Sequence, residues 1–309
     1  MPKAKKTRLP VTAHKYNIVT KNNTKKKATA IMHPERAKNT NIKRNTLIRE
    51  YHVLNKQLSY INNLEQQLAP QNANNKQKRE QFEIQKKEIL ERLEQLGGIE
   101  AYQKQSLAGQ SKLFGGDTSR WLVAQLFNLK ILPQKPPLSM LEVGAVSPFN
   151  YAKELKYIKP VCIDLNSQHP NIHQIDFLDV ELSSSDSHSE LCGPFDIISL
   201  SLVVNFEGDI LKRGNMLIHA ANLLVPKTGL LFFVLPLPCL SNSRYFDHAK
   251  LISMLDSLGM ECIASHNSLK LAHYLFRSIK SVNREFLIGK YPKTLINDRP
   301  GKNNFCIKI

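Results

Sequence analysis

The stretch Leu141-Glu142-Val143-Gly144-Ala145-Val146-Ser147-Pro148 decides the fold. It reads as a short apolar strand that leaves its sheet through a glycine and a proline-bearing turn. Ligands of open parallel sheets bind at the carboxyl ends of the strands, where a glycine lets the backbone come close, and Gly144 is in that place. Glu142, two residues earlier, is an expensive carboxylate to bury unless it accepts a hydrogen bond from backbone or ligand. The GxGxxG pattern is absent. Without a glycine cradle at a helix N-terminus a pyrophosphate has no seat, so a dinucleotide is disfavoured.

Outward from this strand, short apolar runs alternate with helical spacing from Leu138 onward, the pattern of an α/β fold with a parallel sheet covered by helices. Strands are expected at 140–144, 161–165, 172–177, 196–202, 230–235, 261–265 and 274–279, with helices near 151–157, 209–224 and 245–258. The last two strands have no helical spacing between them, so they should form a hairpin with the final strand antiparallel. Segment 178–194, with Ser183-Ser184-Ser185, reads as a surface loop.

The second strand, Val161-Cys162-Ile163-Asp164, ends in an acid. Counted from Gly144, Asp164 falls at the spacing of about 20 residues that places an acid to accept both ribose hydroxyls of an adenosine-containing ligand. At the end of the third strand, Asp176 can accept the exocyclic amine of adenine, and Phe177 offers a stacking surface. Each acid alone has an ordinary alternative as a turn or cap residue. Together the three elements point to a nucleoside cofactor recognised without phosphate, S-adenosylmethionine. Adenine-modifying methyltransferases carry an Asn-Pro-Pro-aromatic motif at the end of the fourth strand, which orients the target amine and stacks on a flipped base. Here Asn205 and Phe206 remain of it; the alternative is a strand-exit turn with Asp209 capping the next helix.

Leu141-Glu142-Val143-Gly144-Ala145, Ile163-Asp164-Leu165-Asn166-Ser167-Gln168, Gln174-Ile175-Asp176-Phe177, Ile198-Ser199-Leu200-Ser201-Leu202-Val203-Val204-Asn205-Phe206, Lys212-Arg213-Gly214 and Pro236-Leu237-Pro238-Cys239-Leu240-Ser241-Asn242-Ser243-Arg244-Tyr245 together resemble the fungal family of 25S ribosomal RNA adenine-N1 methyltransferases. Gly115-Gly116-Asp117-Thr118-Ser119-Arg120-Trp121-Leu122 resembles it too, and the similarity spans about residues 99–280. The resemblance implies a Rossmann-like class I methyltransferase fold, S-adenosylmethionine as cofactor, 25S RNA in a pre-ribosomal particle as partner, and a nucleolar location within the nucleus. By position, Gly144 and Asp164 match the cofactor-binding glycine and acid, and Asp176 and Phe177 the adenine contacts; Glu142 and Ser199 are assigned to the same cofactor site. Val146 and Pro148 occupy places where methyltransferases often have further glycines. Animal relatives look like S-adenosylmethionine sensors, so the alternative function is a non-catalytic sensor that signals through a protein partner.

A target base entering past the fourth and fifth strands would meet Asn205, Phe206, Arg244 and Tyr245. In the catalytic reading Asn205 orients the amine, Phe206 or Tyr245 stacks, and Arg244 holds a phosphate. Their structural alternatives are a solvated charge for Arg244, a helix start for Tyr245 and a turn for Asn242.

Charge separates the rest of the chain. Residues 1–50 hold fourteen Lys and Arg against Glu35 and Glu50, a net +12 of the chain's +17. Residues 1–45 therefore read as a disordered basic tail, with Lys3, Lys5, Lys6, Arg8 and Lys25-Lys26-Lys27 fitting a nuclear or nucleolar address. Residues 46–98 read as a helical hairpin, with Tyr51, Leu54, Leu58, Ile61 and Leu68 on one helix and Phe82, Ile89, Leu93 and Leu96 on the other. The methyltransferase domain is placed at 99–285 and a basic C-terminal extension at 286–309; Thr118 is expected to cap a helix carrying Trp121 and Leu122. The longest dense apolar run, 230–235, falls far short of a membrane helix. Five cysteines without a CxxC disfavour a thiolate zinc site or a disulfide scaffold, and Pro170 between His169 and His173 disfavours a metal pair. Cys239, beyond the fifth strand, reads as a small hydrophobe before a nucleophile.

Overall fold

The computed structural model describes residues 34–309 apart from 67, 69–72, 102–103, 105–117, 134–135, 168, 183–189, 281–286 and 288. The lysine clusters of the tail, Gly115-Gly116-Asp117 and Ser183-Ser184-Ser185 therefore lie outside the described residues.

One sheet of seven strands organises the chain, in the order β3-β2-β1-β4-β5-β7-β6. The strands are β1 Leu138–Val143, β2 Ile158–Asp164, β3 His173–Gln174, β4 Ile197–Ser201, β5 Leu230–Pro236, β6 Met260–Asn267 and β7 Leu271–Ser278. The first five run parallel, and β7 lies antiparallel between β5 and β6, as the terminal hairpin required. Parallel strands covered on both faces read as unbroken apolar runs, because each face needs its own hydrophobic set. In β5, Leu231, Phe233 and Leu235 enter one core with Val143, Phe177 and Leu217, while Leu230, Phe232 and Val234 enter a second with Leu122, Leu126 and Tyr151. This is the class I methyltransferase arrangement. The strand order reverses between β1 and β4, so their connections leave in opposite directions and open a crevice at their carboxyl ends.

The helices are α1 Pro34–Gln66, α2 Ala73–Gln95, α3 Ser119–Asn128, α4 Ile210–Leu223, the single turn α5 Pro238–Ser241 and α6 His248–Ser257. Asp209 caps α4 by accepting from Leu211 N at 2.7 Å, and Asp247 caps α6 by accepting from Lys250 N at 2.8 Å. Several expectations need correction. α1 begins at Pro34, so residues 34–45, read as disordered tail, are helical; proline suits a first helical turn, where its missing N–H has no partner to lose. Segment 151–157 forms successive turns closed by Glu154 N to Tyr151 O and Tyr157 N to Glu154 O rather than an α-helix, since so short a segment barely offsets the cost of helix nucleation. Thr118 makes no capping bond; its hydroxyl pairs at 2.8 Å with Ser201 at the end of β4. The third strand is two residues long because Asp176 and Phe177 leave it to start a 3-10 turn, Phe177–Asp179.

α1 and α2 pair through Glu50 with Arg92 at 2.6 Å, and Ile61 and Leu93 are buried on them. Lys86 joins Glu65 across the hairpin. The C-terminal segment is more than a charged extension. Tyr291, Phe305, Cys306, Ile307 and Ile309 are buried, and Lys290, Lys293 and Arg299 are exposed. The buried run fastens the segment along α4, where a Cβ on Gly214 would lie 1.9 Å from Lys308 O. Among the described residues no helix is long and apolar enough to cross a membrane.

Candidate functional site

Gly144 leaves β1 at φ +70°, a left-handed conformation, and a Cβ there would sit 2.9 Å from Val203 Cγ2 beyond β4. Both conditions demand glycine at the mouth of the crevice. Beneath it Glu142, 8% exposed, accepts from Asn150 Nδ2 at 2.7 Å and from the Cys162 thiol at 3.5 Å. Protein donors thus meet both carboxylate oxygens, and Glu142 ties the loop after β1 to its strand. On the neighbouring strand Asp164 ends β2, half-buried, its Oδ1 accepting from Asn166 N at 2.8 Å. Burial raises its carboxyl above the usual range, the Asn166 N–H working in the opposite direction. Two exposed apolar residues that local sequence reading missed follow the exits of β1 and β2. Leu165 is 68% exposed and Phe149 63% exposed, the latter edge-on to His169 at 5.5 Å. Their signal was available: large apolar side chains at two strand exits with no helical or strand period to bury them.

The third-strand residues do not join this group as expected. Asp176 is exposed and accepts from Leu178 N at 2.9 Å, capping the 3-10 turn. Phe177 is 3% exposed and meets His219 edge-on at 5.0 Å inside the core, so it has no free face for an adenine ring. Ser199 is 1% exposed and pairs in register with Glu142, two residues short of the strand end.

On the other side of the crevice β4 exits through Leu202 at φ +59°, a strained conformation for a branched side chain. Asn205 follows, 9% exposed, and its Oδ1 is buried with no hydrogen-bond partner among the described residues. Buried acceptors are nearly always paired, so an orphaned amide oxygen at a ligand-binding end marks a place for a donor that arrives with a ligand. Phe206 packs against His52 of α1, ring centroids 4.0 Å apart. Ser59 of the same helix closes on Gly208, where a Cβ would be 2.7 Å from Ser59 Cβ. The hairpin therefore forms one wall of the β4 exit, a contact between segments far apart in the chain that no local pattern announces.

Arg244 and Tyr245 are occupied differently from the expectation. The Arg244 guanidinium donates through Nη1 to Lys302 O at 2.7 Å and Asn304 Oδ1 at 2.9 Å, and its backbone pairs with Asn303, Ile296 and Asn297. These bonds fasten the C-terminal segment to the loop after β5. Tyr245 lies under Lys293 Nζ, 4.4 Å from the ring centre. Asn242 donates to Gly301 O at 3.2 Å, so it too serves the C-terminal segment. Burial pushes the Cys239 thiol up to about 11, with Lys56 and Arg213 pulling the other way, which favours the protonated thiol. No cluster of three or more potential metal ligands exists among the described residues.

Burial, and secondarily Lys56, pushes His52 down to about 3. Its proton affinity is below that of an unfolded histidine, so the unfolded chain binds more protons between about pH 6.5 and that value. Docking of α1 on Phe206 should therefore weaken as pH falls through this window. Hydrogen exchange of α1 amides at pH 7 and pH 5, each corrected for the intrinsic rate at that pH, measures it: lower protection factors at pH 5 are expected, and His52→Phe should remove the difference.

Residues 87–307 match the family model described as 25S rRNA (adenine(2142)-N(1))-methyltransferase, Bmt2. The chain is 35% identical over 275 residues to the 25S rRNA adenine-N(1) methyltransferase of Schizosaccharomyces pombe, covering 86% of this chain and 91% of that protein. It is 34% identical over 226 residues to the 25S rRNA (adenine(2142)-N(1))-methyltransferase of Saccharomyces cerevisiae, covering 72% of this chain and 63% of that protein. The crystal structure of N-methyltransferase NodS from Bradyrhizobium japonicum aligns over 52% of this chain and 86% of its own at 16% identity, with a TM-score of 0.36.

Proposed function

Since the chain belongs to the 25S rRNA adenine-N1 methyltransferase family, we propose that it methylates N1 of an adenine in large-subunit ribosomal RNA with S-adenosylmethionine as methyl donor. The residues at the crevice suit that cofactor. Gly144 permits close approach of the backbone, Asp164 is placed to accept the ribose hydroxyls, and Leu165 supplies the apolar wall expected of Phe177. When bound, the cofactor supplies an electrophilic methyl carried on a sulfonium.

The observation that carries the substrate side is the orphaned Oδ1 of Asn205. Adenine N1 has an unprotonated lone pair at neutral pH, so no general base is required and positioning dominates the rate. Asn205 Oδ1 accepts from the exocyclic amine and holds N1 toward the crevice. The same acceptor favours the cationic base that methylation leaves, because that amine becomes a stronger donor as charge develops. Phe206, backed by His52, offers an aromatic wall against which the base stacks. N1 is occupied in a Watson–Crick pair, so the base must be unpaired or flipped. That requirement suits action on a pre-ribosomal particle before the RNA is fully folded, during ribosome biogenesis. The basic residues 1–45 fit a nuclear and nucleolar address with electrostatic affinity for RNA.

Incubation with methyl-labelled S-adenosylmethionine and a 25S RNA fragment, followed by digestion to nucleosides, tests this function. Label in 1-methyladenosine is expected; label in another base, or none despite cofactor binding, overturns it. Asp164 adds a pH signature. As an acceptor for ribose hydroxyls it acts ionised, and burial raises its carboxyl above the usual range. Cofactor affinity measured by calorimetry should therefore start to fall, on acidification, above the pH at which an ordinary aspartate protonates. Asp164→Asn should bind weakly at every pH.

A further inference from the structure

Lys212-Arg213-Gly214, part of the family resemblance, has no role in the chemistry described so far. Arg213 is 3% exposed on the first turn of α4. Its Nε and Nη2 donate to Glu207 O at 2.9 and 2.7 Å, and its Nη1 donates to Cys306 O at 2.6 Å. Phe305 covers the guanidinium, 4.5 Å from ring centre to Cζ. One planar fork thus joins the loop carrying Asn205 to the C-terminal segment. The next residue is glycine because Lys308 O fills the space a side chain would need, 1.9 Å from an added Cβ, and Lys308 N is bonded to Ile210 O at 3.0 Å. Ser243 Oγ, in the loop after β5, donates to Phe305 O at 2.6 Å, so the segment ties the exits of β4 and β5 together.

A buried guanidinium that donates only to carbonyls contributes little to stability alone, because its desolvation is costly and no carboxylate compensates it directly. Its geometric effect is specific. Glu207 O is two residues beyond Asn205, and both its bonds come from one rigid group.

We propose that Arg213 is a positioning residue of the active site, and that the C-terminal segment 305–309 is the buckle through which it holds Asn205 toward the target base. This rests on the reading that Asn205 meets the target amine. Lysine at 213 keeps the charge but cannot hold two carbonyls in the planar geometry of the fork. Alanine at 214 keeps Arg213 and lifts the buckle.

The test uses the full-length protein with S-adenosylmethionine and the 25S fragment. Both Arg213→Lys and Gly214→Ala should lower kcat about 10²-fold, the cost of a misplacement near 1 Å, with cofactor affinity and RNA KM unchanged. Adding Asn205→Ala to Arg213→Lys should cost little more, because the amide's contribution is already forfeited. Wild-type kcat in Arg213→Lys, with or without a lowered Tm, while Asn205→Ala is inactive, overturns the proposal and leaves the site reading intact. A raised RNA KM at unchanged kcat also overturns it. Full activity in Asn205→Ala overturns the site reading itself and this proposal with it. Should Arg213→Lys fail to fold, Gly214→Ala decides, and wild-type kcat in that folded variant overturns the proposal.

Discussion

Replacing Gly144 with valine is expected to weaken S-adenosylmethionine binding severely while leaving the protein folded. Glycine there adopts φ +70°, and the added Cβ would approach Val203 Cγ2 to 2.9 Å. A β-branched residue is least able to hold a positive φ, at a strain of about 1–3 kcal/mol. That is within the reserve of a domain stable by about 5–15 kcal/mol. The turn must therefore shift, and the shift moves backbone into the crevice at the point where the ligand comes closest. Calorimetry should show affinity reduced by about 10²-fold or more, against a cost of about 1.4 kcal/mol for each factor of ten, with an unchanged circular dichroism spectrum. Near-native affinity would place the cofactor elsewhere.

The second large effect is on chemistry alone. Asn205→Ala should bind cofactor as the unmodified protein does and methylate the 25S fragment about 10²–10³-fold more slowly, as when one donor or acceptor aimed at developing charge is removed. Asn205 is 9% exposed, yet its Oδ1 has no hydrogen-bond partner to lose among the described residues. Truncation therefore leaves no other polar group stranded through that atom, and stability should change little. A slow variant with intact cofactor affinity separates the substrate side of the crevice from the cofactor side. Equal loss of both would make Asn205 a structural residue.

How much of this was legible without coordinates differs by element, for physical reasons. β1, β2, β4 and β5 announce themselves because strands covered on both faces are continuous apolar runs; Leu231 and Phe232 belong to opposite cores yet read as one run. That Gly144 and Asp164 follow or end adjacent strands was legible because the apolar runs of β1 and β2 stop there. Phe177 was misread because an aromatic residue at a strand end has the same local sequence whether it faces a ligand or the core; only His219, across the core, decides. Arg244 reads as a solvated charge or a phosphate ligand until Lys302 and Asn304, far along the chain, fold back upon it. The wall that His52 builds on Phe206 joins two segments in which neither periodicity nor motif refers to the other. The same holds for the C-terminal segment, whose exposed lysines mask the buried Phe305 and Ile307 that carry it into the core.

The central claim is that this crevice makes 1-methyladenosine in large-subunit RNA. The most direct measurement is nucleoside mass spectrometry of 25S RNA from cells lacking the protein, complemented with either the unmodified chain or Asn205→Ala. One 1-methyladenosine of 25S RNA is expected to disappear on deletion, to return with the unmodified chain and not to return with Asn205→Ala. Undiminished 1-methyladenosine at every 25S position in the deleted cells, from a protein that binds S-adenosylmethionine tightly, would contradict it and make the crevice that of a sensor.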